Sequence, residues 1–465
     1  MIVEENPVRN KRESSGTRRQ FIKTGSAIAA AGSLVGAAGL PTTLDANFHV
    51  SGSDTIRVGL VGSGGRGAGA AADSLNAQSG NVELAAVGDL FDDRIGAAVD
   101  GLAKKFKNKV TVTKDSTFLG FDAYEKVMAS DVDLVILATP PGFRPLHLEA
   151  AVKAGKNVFM EKPVAVDALG VQRVLKATEE AKKKGLSIQV GLQRRHERPY
   201  QEIIKRLQEG AIGDFVSARV YWNQGTLWVS GREPQQTELE HQIRNWLYFN
   251  WLSGDHLVEQ HIHNLDVINW LMNDFPTKAR GMGGRQVRTG RQHGEIFDHH
   301  AIEFTYGDGT IMHSNCRQIA DCWNDVSEHV HGTKGYCDLA SGVIYDLDGK
   351  ETFRPQGSRG GGHAQEHVDM YADLQRGLLP NEGEYGAKST MTAILGRLAT
   401  YSGKEVTWDA AINSQIRLAD IDGFRSLQDA APVQPLENGE YAIPVPGAGW
   451  KNVLDWDPDK KQKKS

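Results

Sequence analysis

A short apolar strand that runs straight into a spaced set of glycines constrains this chain more than any other feature: Ile56-Arg57-Val58-Gly59-Leu60-Val61-Gly62-Ser63-Gly64-Gly65-Arg66-Gly67. Gly62, Gly64 and Gly67 make a G-x-G-x-x-G. The first permits a tight turn, and the second lets a pyrophosphate approach the backbone. The third lets the next helix pack closely with its N-terminal amides facing the phosphates. Gly62, Ser63, Gly64, Gly65, Arg66 and Gly67 are therefore read as cofactor-binding. An Ala-rich helix is predicted over Ala68 to Leu75, then a strand, Val82 to Val87, that leads to Asp89. That acid lies about 20 residues past the last glycine, where a carboxylate binds the adenosine ribose hydroxyls. Asp89 would repel a 2′-phosphate, which favours NAD; Arg94, one turn on, leaves NADP open.

A length of 465 residues exceeds one ordinary core and predicts two domains. Hydrophobic residues at 40% and a formal charge of -5 fit an ordinary soluble protein with no basic surplus for nucleic acid. Cys316, Cys322 and Cys337 are too few and too dispersed for a disulfide framework. At the N-terminus, Thr17-Arg18-Arg19-Gln20-Phe21-Ile22-Lys23 precedes an apolar Ala/Gly-rich stretch from Ala27 to Leu40. It resembles a twin-arginine export signal at every position of S/T-R-R-x-F-[IL]-K. The stretch is too short and Gly-rich for a stable membrane span, and no lipobox cysteine follows. Residues 1–46 are accordingly set aside as signal and linker, with cleavage near Ala38 or Ala46. A protein that passes the twin-arginine translocase, folds before export and works in the periplasm without a membrane anchor is the expectation.

Beyond Asp89 a helical stretch (Asp93 to Phe106) leads to the apolar strand Asp133 to Ala138, which Thr139-Pro140-Pro141 stops. A helix through His147 reaches Gly155. Another strand, Asn157 to Met160, ends at Glu161-Lys162-Pro163. Strands and helices alternating at this spacing predict a doubly wound parallel sheet that binds ligands at the carboxyl ends of its strands. Asp89, Pro140 and Lys162 stand at such ends. Thr139, Pro140, His147, Glu161 and Lys162 join the candidate cofactor residues.

The A-T-P-P block, His147, and A-G-K-N-V-F-M-E-K-P together resemble the Gfo/Idh/MocA family of nicotinamide-dependent oxidoreductases. The resemblance continues through Gly191-Leu192-Gln193-Arg194-Arg195 and covers most of the chain after residue 54. It implies a Rossmann domain (54–185), then an α/β domain with an open, mostly antiparallel sheet (186–450), and it leaves a polar tail (451–465). It also implies a homo-oligomer. Strands of that sheet are assigned to Phe215 to Trp222, His299 to Tyr306, Thr310 to Asn315 and Gly335 to Leu339. In the first, Val216, Ala218, Val220 and Trp222 alternate onto one face.

Asp255 to Met272 reads as one helix. At about 100° per residue, His256, Glu259, His263, Asp266 and Trp270 fall within an arc of about 80°. Apolar residues from Leu257 to Met272 take much of the other side. A stripe of imidazoles, carboxylates and an indole, without Lys, Arg, Gln or Ser, suits a half-buried pocket where protons move. The resemblance assigns the catalytic set to Lys162, Glu259 and His263, with Glu259 standing where the family has Asp. Arg194, Trp246, His256 and Asp266 are candidate substrate contacts, as are Tyr221-Trp222-Asn223-Gln224 and Arg244-Asn245-Trp246. No metal is required, although His256, Glu259 and His263, with His261, offer an alternative zinc set. His363, after Gly360-Gly361-Gly362, is a candidate to close over substrate.

The reaction implied is hydride transfer between the nicotinamide and a carbon bearing a hydroxyl, on a sugar or polyol. His263 acts as base, Lys162 stabilises the reacting oxygen, and Glu259 orients them. An exported enzyme has no free NAD, so the cofactor travels bound and is restored in place. Two other readings stay open: redox-neutral glycoside cleavage through a 3-keto intermediate, and a sugar-binding protein with a structural dinucleotide.

Overall fold

The computed structural model describes residues 55–78, 81–356 and 360–447. The twin-arginine segment and the polar tail lie outside these residues.

Six strands form a wholly parallel sheet: β1 (Thr55–Val61), β2 (Asn81–Asp89), β3 (Thr117–Leu119), β4 (Leu134–Leu137), β5 (Asn157–Met160) and β6 (Ile188–Val190), in the order β3-β2-β1-β4-β5-β6. Every residue of β4 and β5 is buried, as expected where helices cover both faces. The order reverses between β1 and β4, so a crevice opens beyond their carboxyl ends. The first helix runs Gly65–Asn76, starting three residues before the expected Ala68, because Gly65 already has helical geometry.

The second sheet has nine strands among the described residues: β7 (Phe215–Gln224), β8 (Lys278–Gly284), β9 (His299–Thr305), β10 (Ile311–Gln318), β11 (Asp325–Gly332), β12 (Gly335–Asp338), β13 (Val343–Asp346), β14 (Glu351–Phe353) and β15 (Val406–Thr407). Their order is β14-β13-β12-β11-β7-β10-β9-β8-β15. Only β7 and β10 run parallel; the other pairings are antiparallel. The expected alternation on β7 holds for Ala218 and Val220. Val216, at the strand's start, is 55% exposed. The fold is thus α/β, a Rossmann sheet followed by a mixed, mostly antiparallel one.

A single buried apolar cluster joins the two sheets, running from Val61 and Leu137 through Val171 to Leu265, Phe304 and Met391. The helix Gly383–Ser402 lies between them. From it, buried Arg397 donates to the carbonyls of Gly254 (2.9 Å) and Val166 (2.8 Å). That guanidinium fixes the backbone just after the E-K-P block to the start of the histidine-rich segment.

The histidine-rich segment is not one helix. Asp255 adopts φ 79°, where a non-glycine residue is strained. A short helix, His256–Glu259, is followed by a break and then the helix Ile262–Met272. The cysteines are free thiols, Cys316 and Cys337 buried and Cys322 exposed. Among the described residues, no helix is long and apolar enough to cross a membrane.

Candidate active site

A cavity of about 760 Å³ lies in the crevice at the carboxyl ends of β1, β2, β4 and β5. Gly62, with φ 91°, makes the turn out of β1. A Cβ at Gly67 would stand 1.9 Å from the Gly62 carbonyl oxygen, so only glycine lets the helix pack there. At Gly64 and Gly65 a Cβ would meet nothing within 4 Å: the loop's outer side is open. Gly64 caps the helix without a side chain. The first amides therefore remain available to an anion, which is what a pyrophosphate needs.

Asp89 ends β2 on the same wall. Its carboxylate accepts from the Ser63 amide (2.6 Å), the Ser63 hydroxyl (3.0 Å) and the Phe91 amide (3.0 Å). Leu90, Phe91, Arg94, Phe121 and Tyr124 complete an aromatic-lined end. Thr139 and Pro140 follow β4, and Thr139 Oγ1 lies 3.1 Å from His147 Nδ1. Burial, with Arg144 beside it, pushes His147 down to about 3, so this imidazole is neutral; it stacks on Tyr124 at 4.4 Å. Arg144, which sequence reasoning missed, donates to the carbonyls of Thr139 (3.0 Å) and Pro163 (2.6 Å). It ties the end of β4 to the E-K-P block, and the only signal for it was its place one turn after Pro140-Pro141.

Glu161 is 1% exposed and accepts from Arg66 Nε at 2.5 Å. Burial pushes its carboxyl up, but Arg66, Arg144 and Lys162 outweigh this and hold it below the ordinary range. The glycine loop and the E-K-P block are therefore latched together. Lys162 Nζ donates to Glu259 Oε1 (2.9 Å) and to the Glu259 carbonyl (2.7 Å). His263, the second residue of the second helix, lines the same cavity and is 5% exposed. Burial, reinforced by Lys162 and Arg194, holds it well below the usual imidazole range. A neutral imidazole is the state a general base requires. Trp222 stacks on it at 5.8 Å between ring centres. Cavity, dinucleotide cradle, cation, carboxylate and neutral imidazole are thus in one place.

Three expected substrate contacts lie elsewhere. His256 is wholly buried with Nδ1 2.7 Å from Asp255 Oδ1. The same carboxylate reaches His300 Nε2 at 3.3 Å and accepts from Tyr401 OH at 2.6 Å. Asp266 takes a bidentate pair from Arg195, 2.8 Å on both arms, and a bond from Ser389 (2.7 Å). Arg194 is paired with buried Glu328 and covers Trp222. These three groups are committed to partners in the interior, Arg194 from the segment after β6 and the other two from either side of the break after Glu259. The alternative zinc set is separated, since His256 groups with Asp255 and His300 while Glu259 and His263 face the cavity.

Trp246 does line the cavity, with Trp228, Val229, Ser230, Ile243 and Arg244. This face comes from the 226–251 segment of the second lobe, laid across the adenosine end. Arg244 stacks over Phe91 at 3.8 Å and pairs with Asp93 at 3.1 Å. Trp251 meets Phe143 edge-on at 6.0 Å, and its carbonyl sits where a Cβ on Gly142 would be, 2.1 Å away. Arg244 and Trp246 therefore face the cofactor end, whereas Asn245 is buried between the Ser230 amide and the Gln292 carbonyl. Only the tertiary fold could reveal this, because Arg244 lies 151 positions from Asp93 in sequence.

Residues 56–192 match the family model described as "Oxidoreductase family, NAD-binding Rossmann fold", and residues 200–338 match "GFO/IDH/MocA C-terminal domain". An inositol 2-dehydrogenase/D-chiro-inositol 3-dehydrogenase of Shouchella clausii is 30% identical over 285 residues, 61% of this chain and 72% of that protein. An inositol 2-dehydrogenase of Rhizobium meliloti is 27% identical over 286 residues, 60% of this chain and 74% of its own. Among solved structures, aldose-aldose oxidoreductase from Caulobacter crescentus, complexed with glycerol, superposes with TM-score 0.59 at 18% identity over 76% of this chain and 99% of that one. At that identity the likeness speaks for the fold alone.

Proposed function

This chain belongs to the Gfo/Idh/MocA family of NAD-binding oxidoreductases, and from that premise we propose that it oxidises a hydroxyl of a sugar or polyol with a dinucleotide it does not release between turnovers. The observation that carries the reading is the meeting of Lys162, Glu259 and His263 at one end of the dinucleotide cavity. NAD would lie with its pyrophosphate on the Gly62–Gly67 loop and its ribose hydroxyls at Asp89. When bound, it supplies the hydride acceptor.

The protein's own part is proton transfer and charge. Neutral His263 takes the hydroxyl proton as the carbon loses hydride. Lys162 hydrogen-bonds the oxygen as it becomes a carbonyl. Glu259 holds that ammonium in place and balances its charge. The inositol relatives support a polyol substrate. The 226–251 segment, fastened at Arg244 and Trp251, supports slow cofactor release. The Arg18-Arg19 signal supports export of the folded protein to the periplasm with its cofactor.

Purified protein should carry nicotinamide dinucleotide through dialysis, and a panel of myo-inositol, D-glucose and methyl β-D-glucopyranoside should change its redox state. Mass analysis of the extract should find NAD; a phosphorylated dinucleotide would reverse the assignment at Asp89. Protein without cofactor, gaining activity only on added NAD, would overturn the retained-cofactor reading. Export is tested by replacing both Arg18 and Arg19 with lysine, which should trap the precursor; unchanged export would overturn it.

A further inference from the structure

We propose that His363, backed by the carboxyl of Glu366, is a second proton-transfer residue of this cavity, acting on the carbon beside the one that is oxidised. The proposal deepens the dehydrogenase reading of the same site and rests on it.

Oxidation of an alcohol by hydride transfer releases one proton and needs one base. His263 fills that role. Besides His263, the cavity that Lys162 and Glu259 line has two imidazoles, His147, buried and neutral at Thr139, and His363. Its side chain is 46% exposed, whereas His256, His261 and His367 are sealed in the interior. Burial lowers its proton affinity, Arg66 and Lys162 add to this, and Glu161 opposes it.

His363 is placed there by the fold. It lies in the first turn of the helix Gly362–Gln375, after Gly360 and Gly361 at φ 82° and 81°. A Cβ at Gly362 would lie 2.5 Å from the Gln193 carbonyl, so the glycine lets this turn seat against the segment after β6.

One turn on, Glu366 is fully buried, and neither carboxyl oxygen has a hydrogen-bond partner. A buried acid without a hydrogen bond is costly and calls for a partner. Its Oε1 is 3.6 Å from His363 Nδ1 and 3.6 Å from Arg66 Nη2. A small rotation of the half-exposed ring closes the first gap. Burial and the nearby Glu161 raise this carboxyl's affinity for a proton. It is thus suited to draw the Nδ1 proton when Nε2 takes one from the cavity. Arg66 reaches both Glu161 and Glu366, so this pair is braced against the block that carries Lys162.

The step needs no further reactant. Once the carbonyl exists, the adjacent C–H bond breaks and its proton goes to His363 Nε2. The electron pair forms the C=C bond of an enolate whose oxygen Lys162 stabilises. Return of the proton restores the ketone. Where the next carbon carries an oxygen substituent, the enolate electrons expel it as its C–O bond breaks, and it leaves with the proton from His363.

The test uses holoenzyme in D2O with myo-inositol, D-glucose and methyl β-D-glucopyranoside. Deuterium should enter the carbon beside the oxidised one, as read by NMR. In His363→Asn this exchange should fall by about 10² or more, while single-turnover reduction of the bound dinucleotide changes less than about threefold. His263→Asn should slow the reduction itself. Equal loss of both steps in His363→Asn, or loss of neither, would overturn the proposal. If none of the three compounds reduces the dinucleotide, the dehydrogenase reading fails by itself. The His363 assignment is then decided by 15N NMR of the imidazole: Glu366→Gln should change its tautomer balance, and an unchanged balance would reject the pair.

Discussion

Lys162 Nζ donates twice to Glu259, to the side-chain Oε1 at 2.9 Å and to the main-chain carbonyl at 2.7 Å. That carbonyl ends a one-turn helix, so it has no intrahelical partner of its own. The lysine therefore does two things: it satisfies the backbone at the helix break and fixes the carboxylate beside it.

From this follows a graded response at Glu259. Glu259→Gln keeps the size and the main-chain bond but removes the charge, and should lower kcat by about tenfold or more. Glu259→Asp draws the carboxylate back by roughly an ångström and should cost less, because the carbonyl still holds Lys162. Lys162→Ala should lower kcat by about 10² or more. Single-turnover reduction of the bound dinucleotide is the measurement.

His263 is held well below the ordinary imidazole range, first by burial and then by Lys162 and Arg194. It should stay neutral, and competent as a base, as pH falls from 8 through about 6.5, the value of an unperturbed imidazole. A plot of kcat/KM against pH should show no loss of activity at that midpoint that His263→Asn abolishes.

The glycine loop separates fold from binding. Gly64→Ala meets nothing in the protein and should leave the melting temperature unchanged while weakening dinucleotide binding, because the new methyl enters the pyrophosphate space. Gly67→Ala collides with the Gly62 carbonyl and should lower both. Thermal melts beside NADH fluorescence titrations check the contrast.

Arg244→Ala removes the stack on Phe91 and the pair with Asp93. It should speed dinucleotide release by about tenfold, the equivalent of roughly 1.4 kcal/mol. Stopped-flow displacement by excess NADH measures it.

His196 links the helix Gly362–Gln375 to the residue that precedes the helix Gly383–Ser402, with Nδ1 2.8 Å from Asp369 and Nε2 3.4 Å from Glu382. Burial opposes its charge, but the two carboxylates prevail and raise it to about 9. The folded state thus binds this proton more tightly than the unfolded chain, whose imidazole titrates near about 6.5. The stabilisation is fully present below that value and is lost as pH rises through about 9. Chemical denaturation at pH 6, 7.5 and 9 should show falling stability with rising pH, and His196→Gln should flatten the slope.

What the sequence by itself determined is what depends on neighbours along the chain. The run from Ile56 to Gly67, the acid at Asp89, and the strand ends at Thr139 and Glu161-Lys162-Pro163 follow from local periodicity and turn chemistry. Gly62, Asp89, Thr139, Glu161 and Lys162 line one cavity because a parallel sheet brings its strand ends to one edge whatever else happens. The stripe on Asp255 to Met272 was legible only in part. A regular 100° period assumes an unbroken helix, and the carbonyl of Glu259 is claimed by Lys162, 97 positions away in sequence. The break keeps Glu259 and His263 on the cavity wall. His256 meets Asp255 and His300 instead, and Asp266 meets Arg195. Glu366 left no local signal, Arg144 only its place after Pro140-Pro141, and Arg244 was read as a substrate contact rather than as the partner of Phe91 and Asp93, since each matters through a partner on another element. Buried charges and unpaired carbonyls must find partners wherever the fold supplies them, and that requirement is met in three dimensions, not along the chain.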